Sequence, residues 1–373
     1  MMRVLQAAIL FAFAWNGAAC AQTPVDEQFR SDELDWAIWC PCQIDMDDSP
    51  IGFPLDPDEA GDRMARITVN ASSIGGNNCK REDPDECRPP SGSPALTLFS
   101  APGTDYSVRE LPEPFGPSFI RRPRMELLDV QPRKSYCDDD AQRRAGVAGE
   151  EGLCIQRQEL RFQTYLQHKV SKPTLYAFRF RMPKEIDNRE DSIRWILAQW
   201  KHKPIHSSYC PEEDCEWGPS PFLAQRFDDG VLHVTVQDEH CRCIVASAPD
   251  PNNKRSWVNG RPGECLWTGP DPREGEQCTA DLRILYGDNP VLDAPLGEWV
   301  EMRYRVQAGR SGSPFIEIHQ NGRFIARMTG KIGYQTPWFQ TSDVKFKIGQ
   351  YREYMPFTHE MDIDWLTVTP AAE

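Results

Sequence analysis

The chain has 373 residues, with 42 Lys+Arg against 56 Asp+Glu and a formal net charge of −14. A hydrophobic content of 39% and a charged content of 26% describe a globular protein rather than a disordered chain. The acid excess argues against a general nucleic-acid binder, which needs a net basic face. With 32 Pro and 25 Gly the chain is punctuated too often for a helical bundle, and short strands joined by turns fit better.

The N-terminus reads as a separate object. Arg3 is followed by a nearly all-apolar run from Val4 to Trp15, and Ala19-Cys20-Ala21 offers small residues for cleavage. This predicts a secretory signal over residues 1–21, with an apolar core too short to span a bilayer. The Gly17-Ala18-Ala19-Cys20 stretch lacks the Leu of a bacterial lipobox, so lipid attachment at Cys20 is the minor alternative to a secreted or periplasmic protein. Export changes the meaning of the 13 Cys: without Cys20 an even number remains, as a disulfide framework requires. Cys40-x-Cys42 and Cys241-x-Cys243 resemble metal-ligand pairs, but no CxxC pair with zinc-finger spacing exists. Cys79/Cys87, Cys137/Cys154, Cys210/Cys215 and Cys265/Cys278 are expected as loop staples, leaving the two CxC segments to pair with each other.

In chain order, residues 22–60 form an acidic, Pro-rich segment ahead of a main domain over 61–370. Strand patterns follow at Arg66–Val69 and Ala95–Phe99, then a loop over about 134–154. Alternation is clearest in Leu175–Arg181 and Val231–Val236. A Cys-rich, loop-rich insertion is expected over about 237–280. Glu317–Ala326 reads as a hairpin centred on Asn321-Gly322, the strongest short hairpin signal. Amphipathic helices and internal repeats are absent from the pattern. The expected fold is an all-β antiparallel sandwich with long disulfide-bonded loops.

Three segments carry the chemistry. In Arg122–Leu127 a strand would put Arg124 and Glu126 on one face, with Met125 and Leu127 on the other. The second is Arg194–His202, containing Gln199-Trp200-Lys201-His202. The third is Lys345–Arg352, where Lys345, Lys347 and Tyr351 share a face and Phe346 and Ile348 pack inward. Residues 194–203 and 345–352 are basic with no acid, and a basic strip on an acidic protein suits an anionic substrate.

This trio resembles the heparin lyase I/glucuronan lyase-like polysaccharide lyases, with alginate lyases as more distant relatives. Those families carry an Arg-x-Glu-Leu strand, a Gln-x-His strand and a Lys-Phe-x-x-Gly-x-Tyr strand. Arg124-Met125-Glu126-Leu127, Gln199-Trp200 and Lys345-Phe346-Lys347-Ile348-Gly349-Gln350-Tyr351 match them in that order. The resemblance covers roughly residues 60–370 and is most specific from Trp299 to Val368. It implies a concanavalin-like β-jelly roll that cleaves an acidic polysaccharide by β-elimination. Arg124 and Gln199 would neutralise the substrate carboxylate. Tyr351 would act as base, acid or both, with Lys345, Lys347 or Arg352 as its nearby cation. Lys345, Lys347, Lys201, Arg352 and Glu126 are the expected substrate-binding residues. The family's His lies two residues after Gln, a position held here by Lys201. His202 falls one residue later, so a β-bulge must re-aim His202, or Lys201 or the loop residue His206 must serve. His202 is the expected catalytic residue.

Two other readings compete. Glu360, Asp362 and Asp364 share a strand face, similar to the carboxylate strand of laminarinase-type glycoside hydrolases, with Glu360 and Asp364 as the reacting pair. A non-catalytic carbohydrate-binding jelly roll could use the same basic strip. No organic cofactor or catalytic metal is expected, and structural calcium would be motivated only by Asp362 and Asp364. The expected partner is an anionic polysaccharide met by a monomer, with no nucleic acid and no membrane span.

Overall fold

The computed structural model describes residues 24–35, 38–42, 51–59, 61–70, 155–162, 166–186, 194–202, 220–238, 241–249, 265–267, 278–309, 313–334, 343–353, 355 and 357–371. The expected strand at 95–99, the loop at 134–154, the leader and the Arg124-Met125-Glu126-Leu127 segment lie outside them, as do His206 and the cysteine pairs Cys79/Cys87 and Cys210/Cys215.

In chain order the first strands are β1 (Val25–Glu27), β2 (Trp39–Cys42), β3 (Ile51–Gly52), β4 (Ala65–Val69), β5 (Ile155–Phe162), β6 (Thr174–Arg181), β7 (Trp195–His202), β8 (Leu223–Arg226) and β9 (His233–Gln237). They continue as β10 (Cys241–Ser247), β11 (Cys265–Trp267), β12 (Leu282–Tyr286), β13 (Val300–Gln307), β14 (Phe315–Gln320), β15 (Arg323–Gly330), β16 (Val344–Glu353) and β17 (His359–Pro370). They build two antiparallel sheets. The front sheet runs β11-β10-β9-β8-β7-β16-β5-β2, and the back sheet runs β12-β15-β14-β13-β6-β17-β4-β3 with β1 added on β17. The architecture is a jelly-roll sandwich.

Alternation explains the core. On β6, Tyr176, Phe178 and Phe180 are buried, and on β16, Phe346 and Ile348. Tyr176 meets Phe346 and Trp200 across the sandwich at centroid distances of 5.1 and 5.6 Å, and Trp200 meets Tyr304 at 4.7 Å. Aromatic residues of this size dominate the burial energy of a two-sheet core. The Tyr304 hydroxyl, driven between the sheets, donates to Gln225 Oε1 at 2.7 Å, so its polar end is satisfied. The Asn321-Gly322 turn forms as expected between β14 and β15, with φ of 50° and 75°.

Three features differ from the sequence reading. The acidic N-terminal segment is woven into the sandwich: β1 pairs with β17, β2 with β5 and β3 with β4. The expected loop insertion after residue 237 contains a seven-residue strand, β10, paired with β9. The disulfides are Cys241–Cys278 and Cys243–Cys265, not Cys265–Cys278, and Cys241 and Cys243 are thereby unavailable to the other CxC segment. The reason is register: Cys243 and Cys265 are direct cross-strand partners in the β10–β11 pair.

Candidate active site

Each strand of the front sheet turns one set of residues into the core and the other outward. On β16, Ile348, Gln350 and Arg352 are interior, so Lys345, Lys347 and Tyr351 share the outer face, as expected. The cross-strand partners put β5 beside them: Lys347 pairs with Arg161, Gly349 with Glu159 and Tyr351 with Arg157. On the other side Lys345 pairs with Lys201 and Lys347 with Gln199. Gly349 makes this possible. Its φ is +138°, and a Cβ there would strike the Gln158 carbonyl oxygen and come within 2.8 Å of Glu159 Cα. Here β16 also carries an extra residue relative to β7, between Ile348 and Tyr351, which aligns Tyr351 with Ile196.

Glu159 is the hub of the cluster and only 1% exposed. Its Oε1 accepts a short hydrogen bond from Gln199 Nε2, and its Oε2 lies 3.1 Å from Arg157 Nε and 3.6 Å from Lys347 Nζ. Gln199 is thereby held with a known orientation. The Arg157 guanidinium lies 4.4 Å from the Tyr351 ring centroid, a cation–π contact. Lys345 and Lys347 are nearly buried. Burial, with Arg157 and Lys345 nearby, pushes Lys201 down to about 8, partly opposed by Glu159. Burial also pushes Lys347 well below its ordinary range, with Glu159 opposing. Several cations gathered around one buried carboxylate, largely out of water, form a site suited to an anion.

The remaining sequence expectations separate on geometry. His202 is fully buried and faces the core, packed on Phe222 at 4.9 Å between ring centroids and against Gly333. The irregularity in β7 falls between Ile196 and Ala198, before Gln199, so nothing re-aims His202 toward the outer face. Lys201 holds that face instead. Arg352 also points inward. It is 0% exposed and donates to Gln156 Oε1 at 2.8 Å, the Phe357 carbonyl at 2.7 Å and His359 Nδ1, with its guanidinium 5.2 Å from the Trp195 ring centroid. Its position next to Tyr351 in sequence places it on the opposite side of the strand, so it does not reach the substrate face.

Arg157 and Glu159 are the residues that sequence reading missed. The signal was present: Arg157-Gln158-Glu159-Leu160 is a second Arg-x-Glu-Leu run, and only its pairing with β16 distinguishes it from residues 124–127. Arg124 and Glu126 are outside the described residues.

Glu360, Asp362 and Asp364 do share a face, but it is the outer face of the back sheet. Arg66 holds Asp362 at 2.7 and 3.0 Å and reaches Glu360 at 3.3 Å; Arg179 binds Asp364 at 2.9 Å and Arg181 binds Asp362 at 3.1 Å. These carboxylates are paired with arginines, on the sheet opposite the one that carries Glu159. Among the described residues no group of three His, Cys, Asp or Glu side chains could hold a metal ion, and no helix is long and apolar enough to cross a membrane.

The sequence profile of the polysaccharide lyase family matches residues 129–367, well over half of the chain. The chain belongs to the polysaccharide lyase family. That span contains β5, β7 and β16 and begins after Arg124-Met125-Glu126-Leu127. Among solved structures, a family 7 alginate lyase in complex with substrate is similar at 13% identity over 60% of this chain and 73% of that one, with a TM-score of 0.31. An alginate lyase from Pseudomonas aeruginosa aligns at 14% identity over 60% and 77%, TM-score 0.31. An endo-β-1,4-glucuronan lyase from the fungus Trichoderma reesei aligns at 12% identity over 60% and 77%, TM-score 0.32. No curated protein matches. The lyase therefore carries its charged cluster on strands that lie inside the family match.

Proposed function

We propose that this lyase cuts the interior of a uronic-acid polysaccharide by β-elimination on the outer face of its front sheet. The observation that carries the reading is the convergence of Arg157, Gln199, Lys201, Lys345, Lys347 and Tyr351 around buried Glu159. The proton alpha to a carboxylate is too weakly acidic to remove until the carboxylate's charge is offset. Arg157 supplies that offset, with Lys347 as a further hydrogen-bond donor, and it strengthens as charge moves onto the carboxylate oxygens in the transition state. Gln199, oriented by Glu159, adds a directed amide.

Lys201 stands where the resembling enzymes have His, two residues after Gln. With its pKa near 8, a usable fraction is neutral in mildly alkaline solution. In this scheme neutral Lys201 takes the C5 proton, the released electron pair forms the C4=C5 double bond, and the C4–O glycosidic bond breaks. Tyr351 gives its phenolic proton to the departing oxygen. The products are an unsaturated uronate end and a new free hydroxyl.

Export fits the same reading. Cys241–Cys278 and Cys243–Cys265 suit an oxidising compartment, and residues 1–21 have the composition of a secretory leader.

The test is ultraviolet absorbance during incubation with glucuronan, heparan sulfate, heparin, alginate and pectate. A rise on one or more polymers, lost in Tyr351→Phe, is the expected result. Shortening of a polymer without absorbance, or unchanged turnover in Tyr351→Phe, would remove this mechanism.

A further inference from the structure

Residues 166–170 form a short strap that joins the two sheets. The Val170 carbonyl accepts from the Ala308 and Gly309 N–H groups at 2.9 and 3.2 Å, just past β13 of the back sheet. The His168 carbonyl accepts at 2.6 Å from the N–H of Val344, the first residue of β16 in the front sheet. Between these two points Lys169 forms a β-bridge to Asp343, and its Nζ lies 2.6 Å from Asp343 Oδ1. Leu166, His168 and Val170 are buried while Lys169 is exposed, so the strap turns alternate side chains into the protein. Leucine and valine need no partner there. Histidine does.

His168 is 2% exposed, and neither of its ring nitrogens finds a hydrogen-bond partner among the described residues. Its ring meets Tyr176 of β6 edge-on, at 6.3 Å between centroids. Burial pushes the ionisation of the Tyr176 phenol up, so that hydroxyl offers no negative charge. Asp343, the carboxylate that acts on the imidazole, is paired with Lys169. The other titratable groups on the adjoining strands are His202, the cross-strand partner of Val344 on β7, and Lys345, the next residue of β16. A proton on His168 would thus be a buried charge without an acceptor. Burial accordingly pulls His168 down to about 4, partly opposed by Asp343.

We infer that residues 166–170 form an acid-sensitive latch, in which protonation of His168 drives its ring out of the interior and frees the start of β16. The release reaches the proposed active face directly, because Lys345 follows Val344 and pairs with Lys201. The latch does not depend on the elimination scheme, and it adds a reversible loss of the cationic face in acid. Opening returns His168 to an ordinary pKa of about 6.5. The closed strap is therefore favoured in full above about pH 6.5, and its advantage fades as the pH falls toward about 4. At pH 5 the opening equilibrium should be about 30-fold larger than at pH 7.5.

The test is hydrogen exchange, read by mass spectrometry on the full chain at pH 7.5 and 5 and corrected for the intrinsic pH dependence of exchange. Wild type is compared with His168→Gln and His168→Leu. In the wild type, peptides covering residues 166–170 and 343–345 should gain about 30-fold in opening at pH 5, while β6 and β13 stay protected. Both variants should lose that gain whatever their overall stability, because each is compared with itself at two pH values. An equal gain in either folded variant overturns the latch. So does a wild-type strap that is no more open at pH 5, an outcome that needs no variant to fold. Exchange that rises throughout both sheets also overturns it, since that reports global acid unfolding. A protein that cleaves no polymer yet opens at the strap in acid loses the elimination scheme and keeps the latch.

Discussion

Replacing Lys201 by His puts the proposed base to a quantitative test. In the native protein burial and the cations Arg157 and Lys345 bring Lys201 down to about 8. A base must be deprotonated to act, so kcat/KM should rise with pH and level off above about 8. An imidazole has an unperturbed pKa of about 6.5, and the same neighbours would lower it further. At pH 6.5 a lysine of pKa about 8 is roughly 3% neutral, whereas the imidazole is at least about half neutral, a gain of roughly 15-fold in competent base. The rising limb of the profile should therefore shift down by at least about 1.5 pH units, although a weaker base lowers the plateau. The assay is initial-rate absorbance on the responsive polymer across pH 5–10, with Lys201→Met as the null, expected to lose about 10²–10⁴-fold. A limb that stays near pH 8 in Lys201→His, or substantial turnover in Lys201→Met, would refute Lys201 as the titrating base.

Other outcomes follow from the same geometry. Arg352→Met strands the buried acceptors on Gln156 and Phe357, so it should destabilise the fold by roughly 3 kcal/mol or more in denaturant titration. The kcat/KM per folded molecule should be unchanged; a selective rise in KM would return Arg352 to the substrate face. Gly349→Ala forces a Cβ into β5 at a φ of +138° and should cost about 2–4 kcal/mol, with activity falling as β16 is displaced from Arg157 and Glu159. A variant as stable as wild type would show that β16 and β5 are not so closely apposed. Removing the Cys243–Cys265 bridge with paired Ala substitutions releases a 22-residue separation and should cost about 3 kcal/mol by loop entropy. A melting temperature unaffected by both that change and reductant would show that the bridge does not form.

Much of the candidate site was legible because strand alternation is local. The outward sharing of Lys345, Lys347 and Tyr351 needed only the two-residue period of β16. The same period implies that Arg352 faces inward and that His202 lies opposite Gln199, so neither charge nor residue type is enough to place a side chain in the site. The Gln-to-Lys201 spacing was equally readable, and it identifies the residue that occupies the outer face without any bulge.

Other features were written in the sequence but not decidable from it. Arg-x-Glu-Leu occurs at residues 124–127 and 157–160, and the two copies look alike until β5 is seen paired with β16. The disulfides followed strand register rather than nearness in sequence, because Cys243 faces Cys265 across β10 and β11. Glu360, Asp362 and Asp364 share a face in any strand, but only the assembly of the sandwich decides that this face meets Arg66, Arg179 and Arg181. Composition and alternation therefore determined an all-β protein and which side chains travel together, since both depend on residues a few positions apart. Which strands lie side by side, and so which charges surround Glu159, depends on contacts between distant segments, and those the tertiary structure alone decided.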